Sequence, residues 1–112
     1  MHGSTRPDHR ALAEAVRRAV LEAPAATTPT LRQAVAERTA GGPPTEPPYD
    51  ELARQIGDAA YRTTDAQVAT VRTALGTEKA AFEVILAAGV GAGLLRWRLA
   101  MQALAEANDA PS

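Results

Sequence analysis

The amino-acid sequence predicts an all-α fold of five helices, of which the last is the longest. Apolar residues recur at spacings of three and four in each segment, residues that start and stop helices separate the segments, and no segment has the alternation of a strand. We expect one helical domain over residues 8–106, with 1–7 as a disordered lead and 107–112 as a tail. The predicted helices are roughly 8–23, 29–40, 49–61, 65–75 and 78–106.

The two N-terminal helices are placed by their end residues. Asp8 can cap the first helix, and Pro24 ends it because a proline cannot continue the hydrogen-bond ladder. Thr28 and Pro29 are typical of the cap and first turn of the second helix. The predicted buried side of the first helix consists of Leu12, Val16, Ala19 and Val20. Residues 41–48, GGPPTEPP, predict a stiff, extended spacer within the domain.

The third and fourth helices have stronger signals. Thr64 and Gln67 form a Thr-x-x-Gln capping box, and Gly76 can end the fourth helix in the left-handed conformation. The fourth helix then carries Val68, Val71 and Leu75. The buried side predicted for the third helix consists of Tyr49, Leu52, Ala53, Ile56, Ala59 and Ala60.

The fifth helix begins after Thr77, which can cap it. Its predicted apolar stripe consists of Phe82, Ile85, Leu86, Gly89, Val90, Gly93, Trp97, Met101 and Leu104. Gly89 and Gly93 cost helix propensity that alanine would not, so we interpret them, with Trp97, as a close helix crossing. The crossing partner can be the same chain or another subunit. A dinucleotide-binding fingerprint is disfavoured because the third glycine comes one residue early.

Composition excludes several kinds of site. The chain has no cysteine, and its two histidines, His2 and His9, lie near the N-terminus, so we expect no thiol chemistry, metal or cofactor. The net charge is −1 with the charges interspersed, which argues against nucleic-acid binding. A helix–turn–helix reader built from 65–75 and 78–93 is disfavoured because its second helix would be largely apolar.

The same features favour a soluble, cytoplasmic protein that associates with itself. The N-terminus lacks the apolar core of a signal peptide, and the longest uncharged apolar run, 84–95, is shorter than the roughly 20 residues of a membrane span. Apolar residues make up 46% of the chain, but about half of them are alanine. A lone monomer with such a core would be marginally stable. We therefore expect a homo-oligomer, with a different protein as the alternative partner.

Three side chains are candidates for catalysis or ligand binding. Glu83 is the only charged residue between Lys79 and Arg96, and a carboxylate in apolar surroundings can act as an acid or base. Arg96 and Tyr61 could assist it. The alternatives are a solvated flank position for Glu83 and a surface hydroxyl for Tyr61, which is common for tyrosine.

The stretch from Asp58 to Leu104 resembles a known family. The segment ALGTEKAAFEVILAAGVGAGLLRWRLAMQAL, residues 74–104, has a helix ending in Ala-x-Gly, a capping Thr followed by an acid, Glu-Val, and a small-residue stretch before an Arg. This pattern is similar to the alkylhydroperoxidase D-like / carboxymuconolactone decarboxylase superfamily. The resemblance implies an all-α homo-oligomer. It covers less than half of the chain, and residues 1–48 match no family pattern.

The resemblance also implies which chemistry is missing. The peroxidase branch of that family has Cys-x-x-Cys with a His four residues later, and alignment of that motif here falls on Tyr61, Thr64 and Val68. Those side chains cannot form a disulfide or relay a proton. Our main hypothesis is a catalytically silent AhpD-like helical domain that acts by self-assembly or partner binding. The alternative is a non-thiol enzyme or small-ligand binder that uses Glu83, Arg96 and Tyr61.

Overall fold

The computed structural model of the protein describes residues 8–109, and these contain five α-helices, one short 3-10 helix and no strand. The all-α prediction is therefore confirmed. The helices are α1 (His9–Leu21), α2 (Pro29–Thr39), α3 (Tyr49–Ala59), α4 (Asp65–Leu75) and α5 (Glu78–Asp109), and the 3-10 helix is Ala60–Arg62.

The predicted helix caps are formed by the predicted residues. Asp8 accepts a hydrogen bond from the Ala11 amide at 3.0 Å, and Thr28 accepts one from Leu31 at 3.1 Å. Thr64 and Gln67 make both bonds of the capping box. Gly76 ends α4 with a φ of 87°, a backbone conformation that glycine adopts without steric cost. Local sequence therefore sets where these helices begin and end.

Three helix boundaries differ from prediction. The first helix ends at Leu21 rather than near 23, since the residue before Pro24 is disfavoured in helical conformation. The third predicted helix ends at Ala59 and tightens into the 3-10 turn. The last helix continues to Asp109, so 107–109 are helical rather than tail; no helix-breaking residue occurs before Pro111. The predicted lead, 1–7, and residues 110–112 lie outside the described residues.

The core forms where α2, α3 and α4 pack against α5. Its largest fully buried apolar side chains are Leu52 of α3, Val35 of α2, Val71 of α4 and Val84 of α5. A smaller cluster of Leu21, Ala36 and Ala87 attaches α1. The N-terminal helix thus contributes little apolar burial, and polar contacts described below hold its end in place.

The long helix buries the side opposite to the predicted stripe. Its buried residues are Ala80, Ala81, Val84, Ala87, Ala88, Gly91 and Ala92, nearly all of them small. Phe82 is 62% exposed, Leu86 41% and Leu104 57%, so these members of the predicted apolar stripe are not covered within the chain, whereas Ile85 packs against the core. Small side chains on that side let α2 and α3 pack closely against α5.

The first helix shows the same reversal. Leu12 is 60% exposed and Val16 42% exposed, whereas Leu21 is buried. The residues of α1 that turn towards the protein are Ala13, Arg17, Val20 and Leu21, of which Leu21 alone is buried.

The close crossing of α2 and α5 within the chain occurs at Gly91. A Cβ atom added there would lie 2.6 Å from the Cα of Ala36 and would also meet the Thr39 hydroxyl. Cβ atoms added at Gly89 or Gly93 would meet nothing within 4 Å. The intrachain crossing thus uses the glycine between the two that the sequence singled out, and a crossing at Gly89 and Gly93 remains a prediction that requires a second chain.

Among the described residues, α5 is the one helix that by length and composition could cross a membrane. In its most apolar 18-residue stretch, 28% of the residues are buried within the protein. Length and composition do not separate a membrane span from a helix that packs against protein.

We predict that Gly91→Ala destabilises the fold. The added methyl group would meet backbone atoms of α2, which cannot rotate away, and overpacking of this kind costs about 1–3 kcal/mol. Urea denaturation followed by circular dichroism measures the free energy of unfolding. In dilute solution the matched variant Gly89→Ala should keep or slightly raise it, because its methyl group enters open space and alanine favours the helix. Equal destabilisation by both variants would contradict the assigned crossing.

Candidate functional site

A buried arginine closes the carboxyl end of the first helix. Arg32 of α2 is only 2% exposed. Its guanidinium donates hydrogen bonds to the carbonyl oxygens of Val20 at 2.5 Å, of Ala23, and of Thr27 at 3.4 Å. The last carbonyls of a helix lack partners within it and carry partial negative charge, so a cation there is favourable. Arg32 therefore satisfies the end of α1 and the connection that follows it.

Glu83 binds the same connection from the other side. Its carboxylate accepts hydrogen bonds from the Thr27 amide at 2.8 Å, the Thr27 hydroxyl at 2.7 Å and the Ala26 amide at 3.0 Å. The Thr27 bonds are the main reason why the pKa of Glu83 is lowered; the Ala26 amide and the charge of Arg32 add to this, and partial burial opposes it. The ionised form is thus the one that the structure stabilises.

We call Arg32, Glu83 and Thr27 the loop clamp. It joins the α1–α2 connection to α5 across more than 50 positions in sequence. Glu83 makes these bonds to the connection, and no Lys79–Glu83 ion pair forms. The role of Glu83 in the loop clamp is structural, because every hydrogen-bond donor that it binds belongs to the α1–α2 connection.

The structure does not bring the three catalytic candidates together. Tyr61 is 84% exposed beside the Arg62 guanidinium, which lies 5.6 Å from the ring centre. Arg96 donates a hydrogen bond to the Gly57 carbonyl at 3.1 Å, near the end of α3. Within residues 8–109, no hydrogen bond or ion pair links any two of Glu83, Arg96 and Tyr61. Their contacts thus lie at three separate places, namely the α1–α2 connection, the end of α3 and the 3-10 helix.

A groove of about 300 Å³ lies between α1, α2 and α5. Its apolar surface comes from side chains such as Leu21, Leu94 and the half-buried Trp97. The charged residues that line it are Arg10, Glu14, Arg17, Glu37 and Arg98. Sequence patterns did not indicate this groove, because its residues come from three helices and share no spacing.

The arginines of the groove differ in their partners. Arg17 pairs with Glu22 and, at 3.8 Å, with Glu14. Arg10 and Arg98 make no ion pair with any residue in 8–109. An apolar surface beside two cations that lack carboxylate partners can accept an anion that has an apolar body.

The predicted crossing residues lie on the open side of α5. Gly89 and Gly93 are exposed, and Trp97 is half-buried at the edge of the groove. In the described part of the chain, no three His, Asp or Glu side chains cluster as a metal site would require. No family model, curated protein or solved structure matches the chain.

We predict that the loop clamp makes stability dependent on acidic pH. Glu83 has a lowered pKa in the folded protein, so its contribution is complete above the ordinary value of 4.5 and is lost as the pH falls below that value. Replacement by Gln leaves an amide N–H facing a backbone N–H, and Glu83→Gln should lower the free energy of unfolding at neutral pH by about 1–2 kcal/mol.

Urea denaturation at a series of pH values tests this prediction. The difference between the wild-type chain and Glu83→Gln should shrink as the pH falls below 4.5. Glu78→Gln, at a carboxylate of α5 that is largely exposed, is the matched control and should change little. A difference that stays constant down to low pH would refute the role assigned to Glu83.

Proposed function

We propose that the protein is a catalytically silent helical domain that acts by associating with itself through the exposed side of α5. We define the outer face as Phe82, Leu86, Gly89, Gly93, Trp97, Ala100 and Leu104. These residues lie on one side of the helix, opposite the small residues buried against α2 and α3. The observation that carries the proposal is that Phe82, Leu86 and Leu104 are exposed on one side of α5, whereas the residues buried on its other side are small apart from Val84.

The exposure of this helix favours a protein partner. Contiguous exposed apolar surface on a soluble protein usually marks an interaction site. Beyond the core, residues 99–109 are exposed on every side and include Leu99, Met101 and Leu104. A helical extension with no tertiary contacts gains little stability on its own, because most helix stability in proteins comes from packing. A second copy would supply that packing.

The side chains of this protein fit a domain without catalytic activity better than they fit an enzyme. The chain has no cysteine, and Glu83 is engaged in the loop clamp rather than directed at a ligand. Membership of the AhpD-like superfamily stays a proposal that rests on residues 74–104. If it holds, this chain keeps the helical scaffold without the thiols of the peroxidase branch.

A protein partner also fits the outer face better than a lipid bilayer does. Arg96 and Arg98 follow directly on the apolar run 84–95. A charged side chain at the centre of a membrane is costly, whereas at the edge of a protein interface it stays in water. We accordingly propose a cytoplasmic protein.

We predict that Leu104→Glu weakens self-association. Leu104 is 57% exposed on the outer face, so a charge there leaves the monomer intact and opposes burial. The dissociation constant should rise at least tenfold, about 1.4 kcal/mol. Leu12→Glu is the matched control, since Leu12 is 60% exposed but lies on α1. Sedimentation velocity over a concentration series measures both. A wild-type monomer at all concentrations, or equal effects of the two variants, would contradict the proposal.

A second candidate function rests on the groove. Arg10 and Arg98, beside the apolar wall of Leu94 and Trp97, suit a small organic anion with an apolar body. The volume of about 300 Å³ lies at the lower limit for small-molecule pockets. This candidate replaces the predicted trio of Glu83, Arg96 and Tyr61 with a different set of residues.

We predict that octanoate changes the fluorescence of Trp97, the only tryptophan in the sequence, more strongly than 1-octanol does. The carboxylate can pair with an arginine of the groove, which the alcohol cannot. Arg98→Gln should weaken octanoate binding several-fold, whereas Arg72→Gln, at an exposed arginine of α4, should not. Equal responses to acid and alcohol would show apolar adsorption only and would contradict an anion site.

A further inference from the structure

We infer that α1 is a lid over the groove, hinged at the loop clamp. In the open form, residues 8–19 leave α2 and α5, while the loop clamp and the core stay formed. The inference gives the groove an open and a closed form. Its effect on a ligand rests on the second candidate function, whereas the opening of α1 does not.

The contacts that hold α1 are concentrated at its carboxyl end. Arg32 donates a hydrogen bond to the Val20 carbonyl, and the side-chain amide of Gln33 donates one to the Leu21 carbonyl at 3.4 Å. Leu21 is also the residue of α1 that is buried. The loop clamp then holds Thr27 in the connection that follows. This end of the helix is thus fixed by hydrogen bonds and by apolar packing.

The amino-terminal part of α1 is held much less firmly. In the described part of the chain, side chains of residues 8–19 make hydrogen bonds and ion pairs only to α1 and its cap residues. Asp8 caps the helix, and Arg17 pairs with two glutamates. Ala13 and Arg17 are half-buried, and the other residues of 8–19 are exposed. Lifting this part of α1 therefore removes little apolar contact and no hydrogen bond to another helix.

The same part of α1 forms a wall of the groove. Four of its side chains line the groove together with Trp97 of α5, namely Arg10, Ala13, Glu14 and Arg17. When α1 lifts, the groove loses two of its arginines and opens to solvent. A ligand held between α1 and α5 therefore binds the closed form more tightly, and its binding favours that form.

Opening of α1 leaves the core intact. The largest buried apolar side chains lie on α2, α3, α4 and α5, and none of them belongs to α1. A helix of 13 residues without tertiary contacts is only marginally stable in water, so α1 loses most of its helical structure when it lifts. Exchange of its backbone amide hydrogens with solvent then reports the opening directly.

Amide hydrogen exchange measured by NMR tests the hinge. Ile56→Val removes a methyl group from the core at a residue of α3 that is 6% exposed. It should speed exchange of the most protected amides of α3 and α4 about fivefold. The amides of residues 13–19 should keep their rates, because the core stays folded when α1 opens. The Thr27 amide should follow the core, because the loop clamp holds it in both forms.

Two results of this comparison would overturn the inference. An equal rise at residues 13–19 would show that α1 opens only when the whole protein unfolds. A Thr27 amide that keeps its rate, as residues 13–19 are expected to do, would show that the loop clamp opens with α1 and is not the hinge.

Octanoate tests whether α1 closes over a ligand. At ten times its dissociation constant, measured by Trp97 fluorescence, it should slow exchange at residues 13–19 roughly tenfold. The same concentration of 1-octanol is the control and should slow exchange less. A saturated fluorescence change without slower exchange would overturn the lid, since octanoate would then bind both forms equally. Local opening at residues 13–19 without any fluorescence change would support the hinge and contradict the second candidate function.

Discussion

The loop clamp is the interaction on which the N-terminal third of the molecule depends. The apolar cluster that attaches α1 is small, so burial alone contributes little there. Arg32 and Glu83 bind opposite sides of the same connection, one at carbonyl oxygens and the other at N–H and O–H groups. Removing either member would leave its partner groups in the connection without those hydrogen bonds, and a buried polar group that loses its partner is costly. The clamp therefore fixes where α1 lies, and with it one wall of the groove.

The second constraint is the small-residue side of α5. Gly91 lets α2 contact the helix at backbone distance, and Ala87 and Ala88 extend that close approach. The side of α5 that packs in this way carries small residues, and Phe82, Leu86 and Leu104 on the other side are left exposed. The proposed self-association would cover those three side chains.

Local features of this fold could be predicted, because they depend on neighbouring residues only. Thr64 with Gln67 and Gly76 set the limits of α4 through bonds that span no more than four residues. The side of α5 that is buried could not be predicted by summing hydrophobicity, because that side meets α2 at Gly91, where there is no room for a Cβ atom. Small residues at helical spacing did not identify that side either, because Gly89 and Gly93 have such a spacing and are exposed.

The loop clamp shows which of its residues the sequence indicates and which of its contacts the sequence does not. Arg32 stands three, four and seven residues before Val35, Ala36 and Thr39, so it occupies a buried position of α2 by spacing alone. A charged residue at such a position indicates that several carbonyls or a carboxylate must meet it. Glu83 stands out in the sequence because it is the only charged residue between Lys79 and Arg96. Its partner Thr27 is 56 residues away, and no local pattern identifies a contact of that range.

Trp97 connects the two proposed binding surfaces. It belongs to the outer face of α5 and also lines the groove between α1, α2 and α5. A ligand in the groove and a second copy on the outer face would both contact its indole ring. If one of them changes the position of that ring, the affinity of the other must change by the same factor, because coupling between binding sites is reciprocal. Self-association and ligand binding would then be linked through a single side chain.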